Sequence, residues 1–91
     1  MQLPANATLA DADTLLSALQ AALPAGGGSL CIDASSLQHF DTSLVAVLLH
    51  ARRAAEAGGG HIEIVGAPPK LADLARLYGV ESLLPMSAVP G

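Results

Sequence analysis

Two glycine runs, Gly26–Gly28 and Gly58–Gly60, and the pair Pro68–Pro69 cut this chain into short pieces. Glycine loses the most backbone freedom on ordering, and proline lacks an N–H, so both punctuate regular structure. The breaks are too short and too regularly spaced to be interdomain linkers, and no segment repeats another. At 91 residues, against a usual ~150 per domain, residues 1–91 are read as a single domain.

Between the breaks, the apolar period alternates between helix and strand. Leu15, Leu16, Leu19 and Leu23 follow helical spacing behind Asp11 or Asp13 as N-cap, with Pro24 and the glycines as the stop. Leu30-Cys31-Ile32-Asp33 reads as a short, mostly buried strand. Asp41 precedes a helix of about 15 residues that ends at Gly58, with Arg52 and Arg53 toward its negative end. The first two turns of that helix are apolar nearly all round, so more than one side must be covered. Ile62-Glu63-Ile64-Val65 is the next strand, with Glu63 outward. Pro69 then opens a third helix with the face Leu71, Leu74, Ala75 and Tyr78, stopped by Gly79. Ser82-Leu83-Leu84 is read as a last short strand, and Pro4 confines residues 1–9 to an edge or irregular strand. The alternation predicts an α/β fold, a mixed β-sheet with helices packed against it.

Composition narrows the function. Four Lys and Arg against eight Asp and Glu give a net charge of −4, and aromatic residues make up 2%. Nucleic-acid binding needs cations and stacking platforms, so it is excluded. One cysteine rules out an intramolecular disulfide framework. No apolar stretch reaches the ~18 residues of a membrane span and no signal-peptide pattern opens the chain, so a soluble, cytoplasmic protein is expected. Hydrophobic residues are nonetheless 52%, an excess that points to apolar surface reserved for a partner.

Candidate chemistry is sparse. His39, His50 and His61 are 11 residues apart, a spacing that makes no metal site. Cys31, inside an apolar strand pattern, reads as an inert core residue. Neither glycine run precedes a helix or carries the Lys and Ser/Thr of a phosphate loop. Asp33 and Asp41 flank a loop without a pocket between them to host acid–base work. No catalytic residue, cofactor or metal is assigned. The informative feature is Asp41-Thr42-Ser43 at a helix start. Asp41 accepts from free backbone N–H groups, leaving the Thr42 and Ser43 hydroxyls near solvent at the positive end of the helix dipole. The plainer alternative is that all three only cap the helix.

The order of these elements, with Leu30-Cys31-Ile32-Asp33 entering a loop and Phe40-Asp41-Thr42-Ser43 opening a helix, resembles the STAS domain of anti-sigma-factor antagonists from about Leu3 to Pro85. Within that superfamily, Cys31-Ile32-Asp33, Asp41-Thr42, Leu48-Leu49-His50 and Leu74-Ala75-Arg76-Leu77-Tyr78 are most similar to the lipid-asymmetry-maintenance (MlaB-type) subunits. The resemblance implies a non-enzymatic cytoplasmic subunit, without cofactor, that docks on the ATPase of an inner-membrane ABC complex. That complex moves phospholipid between the two membranes of a Gram-negative cell, and the subunit supports its assembly and activity. Contact with the membrane is then only indirect, through the complex.

By the same resemblance, Thr42 matches the threonine that engages the ATPase, and Ser43 falls where sigma-regulating relatives carry a phosphorylated serine. Leu44 departs from the glycine that usually follows that serine, and Pro4-Ala5-Asn6 departs from the usual first strand. The expected partner-binding residues are Thr42, Ser43, Val45 and Ala46 at the start of the apolar helix, with Asp41 as its cap. A signalling module switched by phosphorylation of Ser43 is the alternative, and an exposed apolar face also allows the isolated domain to form a homodimer.

Overall fold

The computed structural model describes residues 1–23, 29–84 and 86–87. The expected helix stop at Pro24 and the first glycine run lies outside them. The chain opens with β1 (Asn6–Ala7) and a 3₁₀ turn at Leu9–Asp11, then α1 (Ala12–Ala22), β2 (Leu30–Asp33) and β3 (His39–Phe40). α2 (Thr42–Ala57), β4 (Ile62–Val65) and α3 (Pro69–Leu77) follow; a second 3₁₀ turn at Glu81–Leu83 leads to β5 (Met86–Ser87).

Every pairing among the described residues is parallel, where a mixed sheet was expected: β1 with β3, β2 with β4, β4 with β5, and a bridge from Gln2 to Asp33. The three helices supply the crossovers that parallel strands need. The α/β layering itself is as the alternation implies.

Leu30 and Ile32 on β2, and Ile62 and Ile64 on β4, are buried on one face, while Cys31 and Glu63 stand opposite each other on the open face. Cys31 is therefore exposed, not a core residue. In register, Leu-Cys-Ile-Asp matches Ile-Glu-Ile-Val, and the two-residue period turns Cys31 outward with Glu63.

α2 lies at the centre of the core. It packs on α1, α3 and β4, and Leu44, Val45, Val47, Leu48, Ala51 and Ala55 are buried. Most of the apolar excess thus belongs to the domain's own core and not to a partner. Gly58 caps α2 and Gly59 turns the chain with φ +84°, a left-handed value that glycine adopts without Cβ strain. Arg52 and Arg53 fall short of the last turn; Arg52 instead pairs with Glu56 one turn on, at 2.8 Å.

α3 starts with Pro69 in its first turn and buries Leu71 and Ala75. Tyr78, expected on its inner face, is the C-cap residue and is 56% exposed. The strand expected at Ser82–Leu84 is a 3₁₀ turn, with Leu83 N–H donating to Val80 C=O at 2.9 Å. Only Leu84 points inward. That turn redirects the chain so that Met86 and Ser87 run parallel to β4.

Candidate functional site

The N-terminus of α2 is set by Asp41. Its extended backbone precedes the helix, and its Oδ1 accepts from the Ser43 N–H at 2.9 Å. The other oxygen, Oδ2, accepts from the Leu9 N–H at 3.1 Å. One side chain thereby caps α2 and ties it to a segment 32 residues earlier, a link invisible to local sequence patterns. The Leu9 bond is the main reason the Asp41 carboxyl sits below its ordinary 3.8, against a smaller opposing effect of desolvation; Ser43 adds to the lowering. Asp33 is likewise lowered, chiefly by the Ser35 side chain and next by the Ser35 N–H, which donates to Asp33 Oδ1 at 2.9 Å.

Both Asp41 oxygens carry a bond, and asparagine offers only one acceptor oxygen. Asp41→Asn should lower the melting temperature at pH 7 by about 4–8 °C, the shift expected when one capping bond is lost in a domain of this length. A depressed carboxyl stabilises the fold above its unfolded value, and the contribution fades as pH falls through the folded value. The gap between the two proteins should accordingly close as thermal melts are taken from pH 6 to pH 3, beginning near the ordinary value of 3.8. A gap that stays constant over that range would remove the carboxylate from this role.

Beyond the cap, Thr42 is exposed, Ser43 half-buried, Val45 buried and Ala46 exposed. Thr42, Val45 and Ala46 line one open groove of about 410 Å³, together with Leu49, Tyr78 and Val80. Ser43 lies outside that lining, with its N–H held by Asp41. A phosphoryl group there would add about −1.5 to −2 charges next to a carboxylate whose Oδ1 is already 2.9 Å from the Ser43 amide nitrogen.

Leu49, Tyr78 and Val80 were not foreseen as wall residues. Leu49 follows Val45 and Ala46 by one helical turn, a signal the apolar pattern already held. Tyr78 and Val80 reach the groove because Gly79 adopts φ +70°, with its N–H on Arg76 C=O at 3.0 Å and the Val80 N–H on Ala75 C=O at 2.9 Å. The reversed chain sets both residues beside α2. No carboxylate or amine lines the groove; its chemistry is one hydroxyl, one phenol and apolar surface, which suits docking and offers no nucleophile–base pair.

Among the described residues, no group of three His, Cys, Asp or Glu side chains is placed to hold a metal ion. His61 meets Ser29 Oγ at 2.9 Å, and both residues are exposed just ahead of β4 and β2. No helix among these residues is long and apolar enough to cross a membrane.

Parallel strands joined by three helices, with a capped central helix presenting a small uncharged groove, make up the described part of the molecule. A STAS-domain protein from Planctomyces limnophilus has the same fold, with a TM-score of 0.76 at 16% identity, covering 98% of this chain and 80% of that one. The chain belongs to the STAS family described as "Mlab, STAS domain", which matches residues 1–85. It is 34% identical over 80 residues to the intermembrane phospholipid transport system binding protein MlaB of Escherichia coli K12, covering 88% of this chain and 78% of that protein. The MlaB protein of Shigella flexneri matches to the same extent.

Proposed function

We propose that this chain is a non-catalytic STAS subunit that binds the ATPase of an inner-membrane ABC complex. It supports the assembly and activity of that complex in phospholipid movement between the membranes, and works from the cytoplasmic side. The observation that carries the reading is the groove. Three of the four residues singled out for partner contact, Thr42, Val45 and Ala46, line one open, uncharged surface, in a chain 34% identical to a protein named for intermembrane phospholipid transport.

The groove fits that role physically. Thr42 and Ala46 are short, so a partner backbone or helix can approach α2 closely, and the exposed Tyr78 ring supplies the aromatic anchor that interfaces favour. The Thr42 hydroxyl, at the first helical position, can exchange a hydrogen bond with the partner.

The test uses the purified chain and the purified ATPase of the phospholipid-transport ABC complex from the same cell. Mixed at about 10 μM, an order above a micromolar Kd, the two should co-elute from a sizing column as one species. The ATPase eluting alone at that concentration would end this reading.

A further inference from the structure

We infer that the docking surface continues along α2 past the groove to Arg53, and that Arg53 pairs with a carboxylate on the ATPase; this rests on the function proposed above. Ala46 and Leu49 belong to two adjoining depressions. The first is the groove, and the second, of about 230 Å³, is completed by His50 and Arg53. Positions 46, 49, 50 and 53 stand three, four and seven residues apart, which is one stripe of a helix.

The charge on that stripe runs against the charge of the chain. The protein has eight acidic side chains and four Lys or Arg, yet no carboxylate lines either depression. The other three cations are engaged within the domain. Arg52 pairs with Glu56 at 2.8 Å, Arg76 with Glu81 at 3.1 Å, and Lys70 Nζ lies 5.5 Å from the centre of the Phe40 ring. Arg53 is exposed and makes no ion pair among the described residues. A guanidinium at the end of an otherwise uncharged stripe, on a protein of net charge −4, selects an acidic counterpart, because its planar donor fork matches a carboxylate. Such a contact at the rim of an interface sets register and association rate more than total affinity.

The experiment titrates the ATPase with the wild-type chain, Arg53→Glu and Arg52→Glu at low and at physiological salt. Both variants change the net charge equally, but position 52 lies about 100° round the helix from position 53. Arg53→Glu should weaken binding about tenfold at low salt, mainly through slower association, and flatten the salt dependence. Arg52→Glu should stay within about threefold. Wild-type-like binding by Arg53→Glu overturns the inference while leaving the proposed function standing, and so does an equal loss in both variants, which would mean net charge alone. Unchanged ATPase binding with a shift in self-association on sedimentation would assign the stripe to a second copy of this chain and also overturn it. Failure of the wild-type chain to bind removes the proposed function and this inference together.

Discussion

Thr42→Glu should abolish ATPase binding in the concentration range where the wild-type chain is saturated, without unfolding the domain. Thr42 is the first residue of α2 and exposed. Glutamate there is favourable to the helix itself, since it faces the positive end of the dipole. In the docked state the same carboxylate would sit unpaired on the uncharged groove surface formed with Val45, Ala46 and Tyr78. An uncompensated buried charge costs about 3 kcal/mol or more, which is about a hundredfold or more in Kd. Thr42→Ser keeps the hydroxyl and should stay within a few-fold of the wild type. Calorimetric titration, with circular dichroism of each variant as the folding control, gives the answer. A folded Thr42→Glu protein that binds as the wild type does would place the contact elsewhere on the molecule.

The helix that carries this site was legible in the sequence because several local signals agree. Asp41 is a good cap, the apolar residues follow helical spacing, and Gly58 ends the run at the observed position. Strand β4 was legible for a similar reason: Ile-Glu-Ile alternates, and Gly66 follows with φ +69°. What local patterns do not encode is the far wall of the groove. Tyr78 falls on the apolar spacing of α3, so periodicity assigns it to the core. The left-handed Gly79 immediately after it makes it a cap residue instead and swings it to the surface.

Cys31 was misplaced for a related reason. A four-residue strand rich in apolar side chains reads as buried on both faces. The parallel register with β4 shows that only Leu30 and Ile32 face the helices. The second bond of Asp41, to Leu9, spans 32 residues and depends wholly on the tertiary fold. Sequence thus held the helix and its cap, while the groove needed two non-adjacent segments brought together.

Leu48→Ala should have the opposite signature to Thr42→Glu: a large loss of stability and little change in the partner contact of molecules that remain folded. Leu48 is 0% exposed at the middle of α2, the helix that touches α1, α3 and β4. Removing three buried carbons from such a site costs about 2–5 kcal/mol, depending on how far the surroundings close on the cavity. A 91-residue domain has roughly 5–14 kcal/mol in all. With a melting-temperature shift of about 4–8 °C per kcal/mol, the variant should melt at least about 8 °C below the wild type. Ala46→Ser, two residues away on the exposed side, should stay within about 0.5 kcal/mol. If Leu48→Ala melted within about 2 °C of the wild type, α2 would not be the core element that its burial implies. The two expected results, for Thr42→Glu and Leu48→Ala, together divide one helix by face. Its inward residues hold the sheet and the other two helices together, and Thr42 and Ala46, both exposed, are left free of that duty.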